Sequence, residues 1–451
     1  MKNENSIYWI WLAEKCGIAS KEFGRLAEKY ENPFDLYRLD EDEIEQLEGI
    51  GRALKSRLAE KSLESSYAIL RYCRQNGVSV IGYHDRRYPA RLRSIENPPV
   101  LLYVLGRIPD WNSRLCIGMV GTRKMSEYGQ QTAYKISYEL SAANALIVSG
   151  MALGVDGVSA CGALAAGGET VAVLGCGISV VYPKEHTRLK EEILRHGAVI
   201  TEYPPTERPI GSNFPKRNRI ISGLCQGVLV VEGAVGSGAL ITAKWAVEQG
   251  RELFALPGQV NESNSEGPNE LIRNGAHVAL CADDILCHYD FLYHDVVNYK
   301  GLAKAKKKKV PEETTLQKYG VSALYYRGRY GEAPVKRREA EKHEKDANSA
   351  PQTVAKTAPM ASHLPVSARE EISAASGSAV SAAATDDSAA VMAGLDPITC
   401  RVFAHMPLDR AVSPDQMALP DVAMGELMTS LTLLELSGLI SSLPGGLYTR
   451  K

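Results

Sequence analysis

From residue 86 to 292 short apolar runs alternate with longer amphipathic stretches, and most of the apolar runs lead within two residues into a glycine. The runs cover 115–120, 145–149, 170–174, 198–202, 227–231 and 252–256. Each is too short for a buried helix and is apolar throughout rather than at every second position, the pattern of a strand covered on both faces. Strand and amphipathic helix in turn predict an α/β fold built on a largely parallel sheet with helices on both sides. In such sheets ligands sit in the crevice beyond the carboxyl ends of the strands, which is where the glycine-bearing loops fall.

The chain has 451 residues, more than one core accommodates, and its composition shifts three times. Residues 1–85 carry Leu12, Phe23, Leu26, Ile44, Leu47, Leu54, Leu58, Leu63 and Leu70 at helical spacing, which predicts a small helical domain. Within it, Gly49-Ile50-Gly51 between two helical stretches reads as a helix-hairpin-helix turn, of the kind also met in SAM-like domains. Such a turn presents backbone N–H groups to a phosphate or simply closes a pair of helices. Residues 293–392 begin lysine-rich, with Lys306 to Lys309 in a row, and continue in Ala, Ser, Thr and Pro. With hardly an aromatic in its second half and too little apolar surface to offset its ordering entropy, the segment is expected to be a disordered linker. Residues 393–451 resume helical periodicity through Val402, Phe403, Leu427, Leu431 and Leu434, then turn at Pro444-Gly445-Gly446, which predicts a winged helix.

The 52 Lys and Arg balance 53 Asp and Glu, so any site for a polyanion has to be a local concentration of cations. No apolar run approaches the roughly 18 residues of a membrane span, and the apolar stretch near the start is followed by Glu14 and Lys15 instead of a cleavage site. Neither membrane insertion nor export is expected. Nine cysteines without a CxxC pair fit free thiols in a reducing, cytoplasmic setting.

Four strand-end loops carry groups suited to a nucleic-acid backbone. Gly121-Thr122-Arg123 combines close backbone approach, a hydroxyl and a planar guanidinium fork. Ser149-Gly150 opens a second glycine loop that runs to Gly154-Val155-Asp156. Gly175-Cys176-Gly177 leads to Tyr182-Pro183-Lys184, an aromatic beside a cation, as base stacking and phosphate pairing require. Glu232 precedes a loop whose Ser237 and Gly238 open a helix and offer N–H groups to an anion. Between them, Phe214-Pro215-Lys216-Arg217-Asn218-Arg219 puts three cations within four positions at a helix start. The GxGxxG and Walker motifs are absent, so no nucleotide cofactor is expected.

Taken together, Gly-Thr-Arg, Ser-Gly-x-Ala-x-Gly-Val-Asp, Gly-x-Gly with Tyr-Pro, Phe-Pro-x-Arg-Asn-Arg-Ile-Ile, Glu with Ser-Gly-Ala-Leu-Ile-Thr, and Phe-Ala-Leu-Pro-Gly at 254–258 resemble the DNA-processing protein A family, DprA or Smf. The resemblance runs from about residue 88 to 286. It implies an extended Rossmann-like domain that binds single-stranded DNA, protects incoming strands and helps load the RecA recombinase during natural transformation, with a homodimer as the working form. It places phosphate contacts at Arg123 and Lys184 and the basic motif at Arg217, Asn218 and Arg219. Two positions depart from the family pattern: Ala160 stands where a histidine is usual and Ser179 where an aspartate is usual.

Two other readings stay open on the residues. Glu232 beside Gly236-Ser237-Gly238 is similar in outline to Rossmann-like enzymes that hydrolyse nucleoside monophosphates, although the Gly-Gly-x-Gly-Thr order is missing. The C-terminal segment around Leu427 to Leu434 lacks the lysines and arginines of a DNA-reading helix and fits a protein-interaction adaptor. The nine histidines are scattered, and neither a catalytic set nor a metal cluster stands out, so a non-enzymatic, metal-free protein is expected.

Overall fold

The structure is a computed structural model that describes residues 5–308, 312–321 and, with gaps, 397–450. The chain divides into two compact units, residues 1–341 and 342–451.

The large unit is built on a nine-stranded sheet of order β1-β2-β6-β5-β4-β3-β7-β8-β9. The strands are β1 (Ser79–Gly82), β2 (Leu101–Gly106), β3 (Cys116–Val120), β4 (Leu146–Ser149), β5 (Thr170–Val173), β6 (Ala198–Thr201), β7 (Gly227–Val230), β8 (Glu252–Ala255) and β9 (His277–Val278). From β6 to β9 all neighbours are parallel, and the antiparallel pair β1 and β2 extends one edge. The six apolar runs are β3 to β8, and the sheet is the mostly parallel Rossmann-like one expected. Strand order reverses between β3 and β7: the chain winds outward from β3 through β4, β5 and β6, then crosses to β7. That reversal opens a crevice at the strand ends.

Side chains alternate between two cores as the pleat requires. Ile117, Met119, Ile147, Ala172, Val199 and Leu229 enter one, while Cys116, Val120, Leu146, Val148, Val171, Val173, Val228 and Val230 enter the other. The first core continues without a break into the helices of residues 6–75, where Trp11, Phe23, Leu47, Leu54 and Leu58 are buried. The helical region is thus packed onto the sheet, and its chain enters β1 at residue 79 rather than ending at 85. Gly82 is part of that seam: a Cβ there would lie 2.5 Å from the Trp9 ring.

The Gly49–Gly51 turn joins two short helices, Glu41–Glu45 and Arg52–Ala59. The Gly51 N–H donates to the Glu22 carboxylate at 2.5 Å, and Arg25 donates to the Gly49 carbonyl. An acid of the same chain therefore holds the place a phosphate would take. The turn closes a helical pair.

Where the sequence predicts a linker from residue 293, the chain runs on into two helices, Tyr299–Lys307 and Glu312–Tyr319. Leu302, Ala305, Leu316, Tyr319 and Val321 are buried. The sparse apolar residues of this lysine-rich stretch are spaced to face one side, which outweighs its average polarity. Residues 309–311 and 322–392 of the expected linker lie outside the described residues.

In the second unit, helix Pro397–His405 and a hairpin of Ile440–Leu443 with Leu447–Arg450 surround Val402, Met406, Val412, Leu427, Leu431 and Leu434. None of the nine cysteines forms a disulfide, and six of them are buried.

Chains ending after residue 321 and after residue 292 are expected to differ in unfolding free energy by roughly 3 kcal/mol, because burying a large apolar side chain contributes about 1.5–3 kcal/mol before ordering entropy is subtracted. Urea denaturation measures the difference, and equal midpoints would mean that the two helices add nothing to the sheet unit.

Candidate nucleic-acid interface

The loops at the β3/β7 reversal are locked to one another through their backbones. The Thr122 N–H donates to the Glu232 carbonyl at 2.7 Å, and the Val155 N–H donates to the Thr122 carbonyl at 3.2 Å. Gly154 has φ of 80°, and a Cβ there would lie 2.2 Å from the Thr122 carbonyl oxygen, so only glycine fits. A Cβ on Gly121 would lie 2.5 Å from Val155. The glycines of the two strand-end motifs thus serve loop-to-loop contact.

Above these loops lies a cavity of about 560 Å³ bordered by Arg123, Phe214, Arg217, Asn218, Ser237 and Gly238. The first turns of four helices reach it: Val155–Ala165 through Asp156, Asn213–Leu224 through Phe214, Gly238–Glu248 through Gly238, and Ser263–Arg273 through Asn264. The aligned peptide dipoles of these four helix starts make the cavity favourable for anions. The Asn218 side chain donates to the Gly238 carbonyl at 3.3 Å. The Ser237 N–H is already given to the Ala234 carbonyl, but its hydroxyl is buried and has no partner among the described residues.

Phe214 is the centre of the cationic side. The Arg123 guanidinium lies 5.9 Å and that of Arg217 5.8 Å from its ring centre, and the Tyr182 ring is 5.3 Å away. Arg123, Lys184 and Lys216 are exposed, and none lies within 4.0 Å of a carboxylate among the described residues. Tyr182 is 38 % exposed. Phe214 was visible in the sequence only as the residue ahead of the basic run, and its role as the platform needs the loop geometry.

Arg217 works from underneath. It is buried and donates from Nη1 to the Gly150 carbonyl at 3.0 Å and to the Val173 carbonyl, and from Nε to Asn218 at 3.1 Å. Gly150 leaves room for it, since a Cβ there would lie 2.4 Å from the guanidinium. The same Gly150 donates its N–H to Asp156 at 2.9 Å. Burial pushes the Asp156 carboxyl up to about 6, with Arg217 and the loop N–H groups acting in the opposite direction. Ser149, also buried, donates its hydroxyl to the Asp156 carbonyl. Ser149, Gly150 and Arg217 therefore shape the floor.

Two expected site residues are turned elsewhere. Arg219 is fully buried in a two-pronged ion pair with Glu202, both contacts 2.7 Å. It lies two positions from Arg217, roughly 200° around the helix, so the sequence cluster splits into a groove-side and a sheet-side cation. Glu232 accepts from the Ser126 N–H at 2.8 Å and from the Ser126 hydroxyl, with Asn264 at 3.4 Å. Burial raises its pKa, and its carboxylate clamps the start of helix Glu127–Ala142 instead of facing a ribose. The departures from the family pattern are absorbed locally: Ala160 is buried in its helix, and Ser179 donates to the Pro205 carbonyl at 2.7 Å. His186 is buried against Gly157 with Nδ1 3.1 Å from the Met151 carbonyl, and burial lowers its pKa, so it buttresses the second loop as a neutral ring.

Comparison with known proteins points to one family. A family profile described as DNA recombination-mediator protein A matches residues 79–290. DNA processing protein DprA of Bacillus subtilis is 40 % identical over 217 residues, 48 % of this chain and 73 % of the relative. Protein Smf of Synechocystis is 34 % identical over 290 residues, 63 % of this chain and 73 % of the relative. The X-ray structure of DprA from Streptococcus pneumoniae superimposes with a TM-score of 0.55 at 34 % identity, covering 62 % of this chain and 97 % of that one.

Arg219→Ala is expected to lower the unfolding free energy by about 3–5 kcal/mol, the cost of leaving a buried carboxylate unpaired. Arg123→Ala, on the exposed rim, is expected to change it by less than about 0.5 kcal/mol. Urea titrations of both variants check the division, and equal effects would contradict it.

Proposed function

Since the chain belongs to the DNA-processing protein A family, we propose that it binds single-stranded DNA across the β3/β7 cavity and acts, without catalysis, as a mediator that protects strands and passes them to the RecA recombinase. The observation that carries this is the arrangement around Phe214: exposed cations on the rim, two aromatic rings, and four helix starts beneath. Phosphates pair with the rim cations and with the N–H groups of the helix starts, while an unpaired base has the faces of Phe214 and Tyr182 to stack on. The bases of a duplex are already stacked on each other and gain nothing from those rings. With a net charge of -1, the molecule has no general attraction for polyanions, so affinity requires a local concentration of cations such as this one. Both Glu232 oxygens accept from Ser126, a structural use of that carboxylate that fits the non-catalytic reading.

No described helix is long and apolar enough to cross a membrane. In the role proposed here the protein works in the cytoplasm beside RecA, as a homodimer, during natural transformation.

Fluorescence anisotropy with labelled oligonucleotides tests the proposal. Single strands are expected to bind more tightly than duplexes, with log K falling against log salt at about 0.7 per phosphate neutralised. Arg123→Ala, Lys184→Ala and Lys216→Ala are each expected to weaken binding by about 1 kcal/mol for every sequence alike. Salt-independent binding, or a preference for duplex, would contradict the phosphate rim and the stacking platform respectively.

A further inference from the structure

Away from the cavity, three side chains that are far apart in sequence meet at the edge of the sheet. Glu252 opens β8, His277 opens the edge strand β9, and His288 lies in a 3-10 turn, Cys287–Tyr289. His277 Nε2 is 2.9 Å from a Glu252 carboxylate oxygen, and the two imidazole centres are 4.1 Å apart. One donor atom from each of the three falls within 4.8 Å of the others. Phe254 fixes the arrangement from below, its ring 5.4 Å from that of His277 and 5.2 Å, edge-on, from that of His288.

We propose that Glu252, His277 and His288 form a binding site for a divalent transition-metal ion, zinc in the first instance. Two imidazole nitrogens and one carboxylate oxygen are a donor set that suits zinc and excludes the hard ions calcium and magnesium, which take oxygen ligands. Around a tetrahedral ion with bonds near 2.1 Å, donor atoms stand about 3.4 Å apart. The Glu252–His277 pair is already that close, and His288 completes the set by a small side-chain rotation. The side chains of His277 and Glu252 are 41 % and 51 % exposed, so an ion has access and a fourth position is left to water. An imidazole that binds the ion gives up the hydrogen on the ligating nitrogen, so His277 exchanges its hydrogen bond to Glu252 for a shared metal.

The consequence is mechanical. The edge strand β9 pairs with β8 at only two positions, Phe254 with His277 and Ala255 with Val278. A metal held by β8, β9 and the 287–289 turn pins that short strand and the chain after it to the sheet, adding binding free energy to the folded state alone.

The full-length protein, stripped with EDTA and dialysed, is titrated with Co²⁺ as a spectroscopic stand-in and then with Zn²⁺. One ion per chain is expected at this site, with visible d–d absorption that zinc abolishes, and zinc is expected to raise the melting temperature. His277→Ala and His288→Ala should each weaken binding by about tenfold or more and remove the thermal shift, since even outer partners of a metal site are worth that much. His294→Ala, an exposed histidine bonded to Asp290, should change neither. Unaltered cobalt binding in the His277→Ala/His288→Ala double variant, shown by circular dichroism to be folded, would overturn the site. So would loss of binding in Cys287→Ser with retention in His277→Ala, which would assign the ion to the exposed thiol.

Discussion

The buried guanidinium of Arg217 is where the strand ends, the second glycine loop and the cavity at the β3/β7 reversal meet. It bonds the carbonyls of Gly150, just past β4, and of Val173, the last residue of β5, and reaches Asn218, which in turn bonds the carbonyl at the start of helix Gly238–Glu248. A cation held there has few donors left for a ligand. What it does is fix the loops and place a positive charge under Phe214, whose ring it shares with Arg123. Asp156 completes the clasp from the other side and keeps Gly150 in place. Arg123 on the cavity's border and the exposed Lys184 and Lys216 carry no such interior task, which leaves them for the phosphates in the proposed binding mode.

Much of this was legible in the sequence. Parallel strands covered on both faces leave apolar runs, and those runs located β3 to β8 to within a residue or two. The glycine loops marked the carboxyl edge because backbone contact at Gly121, Gly150 and Gly154 tolerates no Cβ. The limit was direction. A run of Lys216, Arg217, Asn218 and Arg219 gives the charge of a helix start but not the angle of each side chain, so Arg219 looked like a groove residue although it neutralises Glu202 in the interior. Glu232 likewise lies in the right loop but turns its carboxylate to the start of helix Glu127–Ala142, and the Ser237 N–H is taken by the Ala234 carbonyl.

Other features had no local signal. β1 and the two-residue β9 are too short or too mixed in character to stand out from their surroundings. The helices at 299–307 and 312–319 hide in a lysine-rich stretch because only five buried residues hold them. The Glu252, His277 and His288 cluster depends on strand order: residues 25 and 11 positions apart become neighbours only when β9 pairs in parallel with β8. Spacing rules for metal sites look for ligands within one hairpin or helix and pass over such a set.

Hydrogen exchange of the full-length protein with and without a short single-stranded oligonucleotide tests the central claim most directly. The account predicts that protection on binding appears in the backbone amides of 121–126, 150–154, 182–187, 213–218 and 236–240, the loops and helix starts around Phe214, and leaves the Gly49–Gly51 turn and β9 unchanged. Protection centred on the 41–59 helical pair or on residues 397–450, with none around Phe214, would contradict it.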